Sequence, residues 1–250
     1  MYKFFVENGQ IKDEMVTIIG EDVNHIRNVL RLKIEKQVQI CNKDTSKSYV
    51  ARILELEPNE VRLEIIEECV ETSESKILLD IFQGLPKQEK MEQIIKQATE
   101  IGVSAVIPVK MERCVVKLDD KAELKKVERW QKIAEVASKQ SKRDKIPKVH
   151  SIISLKNVYE KLLEYDIVVI AYEEENETTI KQVLQELNHE MLKKVAVVIG
   201  SEGGLDFHEV DFLRKLPNAK IVTLGKRILR TETAPLVLAS VIMYEFNEMQ

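Results

Sequence analysis

The chain has 250 residues, 44% hydrophobic and 32% charged, with 38 Lys and Arg against 42 Asp and Glu. That balance fits a folded chain of one or two domains and excludes disordered, collagen-like and membrane-spanning classes, because the longest nearly uncharged apolar stretch, residues 234–244, falls well short of the roughly 18 residues of a span. Cys41, Cys69 and Cys114 are odd in number and far apart, Cys/His pairs at zinc spacing are absent and the first ten residues lack a signal-peptide pattern, so the expectation is a reduced, cytoplasmic protein without a metal.

Residues 1–70 read as a small β-rich domain. Extended runs such as Met15-Val16-Thr17-Ile18-Ile19, Val38-Gln39-Ile40 and Val61-Arg62-Leu63-Glu64-Ile65 are interrupted by Asn, Asp, Gly and Pro-Asn turn signals. One helix is expected over residues 21–32, with His25, Ile26, Val29 and Leu30 on one face and Arg27 and Arg31 on the other. The polar stretch at residues 71–75 is the expected boundary.

From Ile77 strand and helix patterns alternate, which favours an α/β domain with a largely parallel sheet. Strands are expected at residues 77–83, 103–108, 167–172, 195–199 and 220–224. Met91, Ile94, Ile95, Ala98 and Ile101 mark one helical face that closes at Gly102. A longer helix carries Val127, Trp130, Ile133, Ala134 and Ala137, with Trp130 read as core. Further helices follow Ser154, Thr179 and Asp206, the last with Glu209 at capping-box spacing, and an apolar helix runs from Pro235 to about Glu248.

Charge is unevenly spread. Residues 1–73 carry 10 basic and 14 acidic side chains, 74–150 carry 17 and 12, and 151–250 carry 11 and 16. Charge able to meet a polyanion therefore sits in the middle third.

Three segments lie where open α/β sheets place ligands, beyond the C-terminal ends of strands. They are Ala171-Tyr172-Glu173, Gly200-Ser201-Glu202-Gly203-Gly204, and residues 224–234, which read LGKRILRTETA. The glycines allow a sharp turn and close approach of a ligand to backbone N–H groups, yet they lack the spacing of a dinucleotide fingerprint and the Lys-Ser/Thr of a P-loop. On residue chemistry alone, a ligand loop and an ordinary strand-to-helix turn stay equally open. In the third segment an apolar Ile228-Leu229 pair precedes Arg230-Thr231-Glu232-Thr233, which suits an apolar slot with polar ends.

These two loops, in this order, resemble those of the SPOUT methyltransferases. A fuller match spans nearly the whole chain and is to the bacterial ribosomal RNA small-subunit methyltransferase E family, the uracil-N3 methyltransferases of 16S rRNA. Its other pieces are Tyr2-Lys3-Phe4-Phe5, residues 25–31 (HIRNVLR), residues 90–102 (KMEQIIKQATEIG), Glu112-Arg113, and Gln140-Ser141-Lys142-Arg143 followed by Ile146-Pro147. Departures are Ser201 where the family commonly has Pro, Lys3 where Arg is usual, and residues 137–141 (ASKQS) where Ala-Glu-Gln-Ser is common.

The resemblance implies an α/β fold in which a PUA-like β-barrel RNA-binding domain, residues 1–70, precedes a SPOUT trefoil-knotted methyltransferase domain, residues 74–250. Periodicity shows no knot, and pattern reasoning alone gives an ordinary doubly wound sheet. It further implies S-adenosyl-L-methionine as cofactor, a homodimer through the knotted domain, and 16S rRNA as substrate, in the decoding region of the assembled 30S subunit. The cofactor residues it implies are Tyr172, Gly200, Glu202 and Gly203, then Leu224, Gly225, Ile228 and Leu229, then Arg230, Thr231 and Ala234. Arg230 and Glu232 are the catalytic candidates, Arg230 as a positive field for a developing uracil anion and Glu232 as a base or as a fixed partner that orients Arg230. Glu202 reads either as a ligand for ribose or amine groups or as a cap for the helix that follows, and Ile228 and Leu229 as cleft or core. Lys3, Arg27, Arg31, Arg113, Lys142 and Arg143 are the candidate RNA contacts, with Lys139 and Lys145 beside them; a solvated helix face is the plainer reading of most lysines. His25 reads as packing. Two alternatives stand beside this: a SPOUT enzyme acting on a ribose 2′-hydroxyl or a guanine, and a non-catalytic RNA-binding protein, which leaves the loops without a task.

Overall fold

The computed structural model describes residues 1–70, 73–187 and 191–249. Glu71 and Thr72 of the expected boundary stretch fall outside them. The chain divides into two compact units, one formed by Met1–Glu74 with Ser138–Ile146, the other by Ser75–Ala137 with Pro147–Gln250.

The first unit holds strands β1 (Lys3–Val6), β2 (Ile11–Lys12), β3 (Met15–Ile19), β4 (Gln37–Asn42), β5 (Ser48–Leu56) and β6 (Glu60–Glu68). They form a six-stranded sheet in the order β1-β4-β5-β6-β3-β2, antiparallel except where β1 meets β4. Alternating side chains of these strands, among them Phe4, Val16, Ile18, Val38, Ile40, Ile53, Val61 and Leu63, fill one core. Helix α1 (Glu21–Asn24) runs into a wide π-type stretch at His25–Val29 and stops there, not at residue 32. Arg31 has a φ of 50°, a left-handed conformation that a helix cannot continue through. Ile26 is buried, and His25 lies edge-on to Phe4 with ring centroids 6.3 Å apart, so it packs.

Ser138–Ile146 is fastened to this unit by buried charge. Asp144 accepts hydrogen bonds from Lys3 Nζ (2.6 Å), Gln39 Nε2 (3.0 Å), Ser48 Oγ (3.0 Å) and the Ser73 N–H (2.8 Å). Burial alone pushes the Asp144 carboxyl up, but the Lys3 ammonium and the Ser73 and Ser48 donors outweigh it and hold the pKa down at about 2. The neighbouring Arg143 guanidinium pairs with Glu74 at 2.5 Å, and both side chains are buried.

The second unit contains β7 (Leu78–Gly84), α2 (Lys90–Ile101), β8 (Ala105–Lys110), α3 (Asp120–Gln140) up to Ala137, β9 (Lys148–Val149), β10 (Ile153–Ser154) and α4 (Leu155–Leu162). It continues with β11 (Ile167–Ala171), α5 (Ile180–Gln185), β12 (Lys194–Ile199), α6 (Phe207–Arg214), β13 (Ala219–Val222) and α7 (Ala234–Glu245). The sheet order is β10-β8-β7-β12-β11-β13, with β9 also on β8, and every pairing is parallel. Expected strand ends move by a residue or two, the ordinary fraying of such boundaries.

Helix α2 buries Met91, Ile94, Ile95 and Ala98, the i, i+3, i+4, i+7 stripe, and ends at Gly102, whose φ of 108° suits the left-handed cap. Trp130 is buried in the middle of α3. Thr179 and Asp206 cap their helices through side-chain oxygens with Gln182 and Glu209 completing capping boxes, whereas Ser154 makes no side-chain cap bond. The last helix ends three residues short of Glu248, before Asn247 in a left-handed conformation. After the edge strand β13 the chain returns across the sheet, and α7 packs on α2, β7 and β12. Among the described residues no helix is long and apolar enough to cross a membrane.

Candidate active site

Because β7, β12, β11 and β13 are parallel, their C-terminal ends lie on one side of the sheet. The turns leaving β11, β12 and β13 are the three segments singled out by sequence, and together they enclose a cleft of about 550 Å³. Small-molecule sites commonly measure roughly 300–1,000 Å³. Tyr172, Gly200, Glu202, Gly203, Leu224, Gly225, Ile228, Leu229, Arg230, Thr231 and Ala234 all line it, while Glu232 does not. Ile228 is 87% exposed, which removes the core reading for that side chain.

The glycine loop is tight enough to require its glycines. A Cβ on Gly200 would lie 2.5 Å from the Gly204 carbonyl carbon, and one on Gly204, whose φ is +70°, would lie 1.9 Å from a carboxylate oxygen of Glu173. Behind the cleft, Thr231 Oγ1 donates to the Gly200 carbonyl at 2.8 Å. The fully buried Gln83 donates from Nε2 to that hydroxyl (2.9 Å) and to the same carbonyl (3.1 Å). Gln83 was not a site candidate; its signal was a lone amide in the apolar run Ile81-Phe82-Gln83-Gly84-Leu85 at a strand's C-terminal end.

Lys90 was also missed. Its Nζ lies 3.1 Å from Glu202 Oε1 and 3.3 Å from Glu232 Oε2, and Arg230 sits 3.9 Å from the other oxygen of Glu232. Partial burial pushes the Glu202 carboxyl up, but the Lys87 N–H and the Lys90 ammonium outweigh it and hold it below its ordinary value. Glu202 does not cap the following helix; Asp206 does, accepting from the His208 N–H at 3.0 Å. That bond first, and Arg113 3.2 Å away after it, keep the Asp206 carboxyl low. Tyr172 is buried and donates its hydroxyl to Glu174 at 2.8 Å.

The basic candidates separate. In the first unit Arg27 is partly exposed and Arg31 and Lys142 are exposed, so they can meet phosphate. Lys3 and Arg143 cannot: each is committed to a buried carboxylate, Asp144 and Glu74. Lys139 is likewise held by Asp22 at 2.9 Å. Lys145 is exposed. In the second unit Arg113 leans on the glycine loop, donating to the Gly203 carbonyl at 3.1 Å, with 40% of its side chain exposed. Among the described residues no group of three or more His, Cys, Asp or Glu could hold a metal ion.

Comparison with known proteins agrees with this layout. Residues 73–243 match the model of an RNA methyltransferase domain, and residues 18–66 that of an RNA methyltransferase PUA domain. The chain is 37% identical to the ribosomal RNA small subunit methyltransferase E of Bacillus subtilis, over 98% of this chain and 97% of the relative. It is 31% identical to the protein of that name from Mesomycoplasma hyopneumoniae, over 95% and 97%. A crystal structure of the Neisseria gonorrhoeae protein of that name, bound to S-adenosyl methionine, aligns with a TM-score of 0.83 and 29% identity over 97% of each chain.

Proposed function

The chain belongs to the ribosomal RNA small subunit methyltransferase E family, and from that membership we propose that it methylates N3 of one uridine in 16S rRNA with S-adenosylmethionine as donor. Residues 1–70 serve RNA binding and 74–250 the reaction; the assembled 30S subunit is the substrate, a homodimer through the second domain the working form, and the cytoplasm its place.

The donor fits the cleft on this chain's own geometry. Backbone crowding at Gly200 and the left-handed backbone of Gly204 keep side chains off those two positions of the wall, and Leu224, Gly225, Ile228 and Leu229 give the same cleft an apolar slot. When bound, S-adenosylmethionine supplies a methyl group already activated on a sulfonium, so the chain has chiefly to align and to manage charge.

The acceptor nitrogen carries a proton that must leave, and solvent water takes it up as the uracil anion develops. Arg230, 82% exposed at its side chain and on the cleft wall, faces the acceptor and stabilises the anion that develops on the uracil. Glu232, set back from the cleft between Lys90 and Arg230, orients Arg230 and is not the proton acceptor. Because N3 lies on the pairing edge, the uridine is presented unpaired. Arg27, Arg31 and Lys142 in the first unit and Arg113 in the second supply phosphate contacts.

The observation that carries this reading is the convergence of the glycine loop and the Arg230 loop on one cleft in a chain of this family. Its test is incubation of unmodified 30S subunits with labelled S-adenosylmethionine, followed by nucleoside analysis. Label in 3-methyluridine is expected; label in 2′-O-methylribose or methylguanosine overturns the assigned position.

A further inference from the structure

We infer that Lys90 is a positioning residue for methyl transfer, acting through Glu232 to hold Arg230 at its place on the cleft. The inference rests on the methyltransferase reading above. Lys90 opens α2, and its ammonium stands between two carboxylates from different loops, Glu202 at 3.1 Å and Glu232 at 3.3 Å. A cation in the first turn of a helix faces the positive end of the helix dipole, so local helix preference argues against a lysine there. A residue that breaks a local rule and gains only contacts around a cleft belongs to the site's design.

The two carboxylates do not depend on Lys90 equally. Glu202 keeps a hydrogen bond from the Lys87 N–H at 2.9 Å when the ammonium is removed. Glu232, with a side chain only 13% exposed, is left with Arg230 at 3.9 Å. A carboxylate that loses its nearer cation keeps only the more distant one, and nothing then fixes its orientation toward the guanidinium. Lys90 thus spans the glycine loop on the donor side and the Arg230 loop on the acceptor side. Its loss is felt in turnover, where Arg230 acts, and little in substrate binding.

The test compares wild type, Lys90→Met and Lys90→Arg for kcat and KM with 30S subunits and for the Kd of S-adenosylmethionine. Lys90→Met is expected to lower kcat by about tenfold or more and to leave KM within about threefold. Lys90→Arg is expected to recover most of the rate. In a Glu232→Gln background, Lys90→Met is expected to add less than about threefold, since both act on one unit. That cycle also separates a positioning role from a loss of folding. An unchanged kcat, or a full additional loss in the Glu232→Gln background, overturns the inference while leaving the methyltransferase reading intact. Absence of transfer by the wild type overturns both.

Discussion

Thr231 donates its hydroxyl to the carbonyl of Gly200 at 2.8 Å, and this buried bond fastens the last loop of the second unit to the glycine loop it lies against. With Gln83 donating to both groups, three segments distant in sequence share one polar knot of contacts behind the cleft. Thr231→Val keeps the shape and removes the hydroxyl. It is expected to cost about 1–3 kcal/mol of stability, the range for breaking a buried hydrogen bond, and to weaken S-adenosylmethionine binding. Thermal unfolding and calorimetric titration check both, and wild-type values in the two contradict the role given to this bond.

Gly200→Ala places a methyl group against the Gly204 backbone, which has no side chain to swing aside. A destabilisation of about 1–3 kcal/mol is expected, as for other overpacked sites, together with a loss of cofactor affinity. Gly9→Ala meets nothing within 4 Å and serves as the comparison, with a change expected within about 0.5 kcal/mol. Equal denaturation midpoints for the two variants contradict the crowding.

Stability at low pH depends on Asp144. Its carboxyl is held down at about 2 in the folded chain, below the value near 3.9 of an unfolded aspartate. A depressed folded pKa contributes stability that is complete above the unfolded value and is lost as pH falls through the folded one. The contribution is about 2 kcal/mol and disappears between roughly pH 5 and pH 2. Denaturant unfolding across that range is expected to be steeper in pH for wild type than for Asp144→Asn, and parallel curves contradict the assignment.

The separation of the basic residues gives opposite expectations for two pairs. Arg27→Ala and Arg31→Ala are expected to weaken binding to 30S subunits and to reduce the slope of log affinity against log salt by about 1 each, with stability unchanged. Lys3→Ala and Arg143→Ala each take the cation away from a buried carboxylate, Asp144 and Glu74, so a loss of about 3–5 kcal/mol is expected with the salt slope intact. A reduced slope for either of the second pair returns it to the RNA-contacting set.

Much of this arrangement was legible in the residues. Period-two runs marked β3, β4 and β6, the Met91–Ala98 stripe marked α2, and three turns with unusual residues marked the cleft, because strand and helix periods and glycine punctuation are local properties. What was not legible is pairwise. Lys3 and Arg143 look like any basic surface residues until Asp144 and Glu74 are placed beside them. Lys90 looks like an ordinary charge at a helix start until two carboxylates from positions 202 and 232 arrive at its ammonium. The return of the chain from β13 to α7 is likewise a matter of threading, which no pattern of hydrophobicity records.

The most direct test of the account is a comparison of wild type, Arg230→Ala and Arg230→Lys for 3-methyluridine formed on 30S subunits, with S-adenosylmethionine affinity measured on the same preparations. The account predicts turnover lower by about a hundredfold in Arg230→Ala with affinity changed by less than about tenfold, and an intermediate rate in Arg230→Lys. Wild-type turnover in Arg230→Ala, or loss of cofactor affinity in proportion to loss of rate, would contradict it.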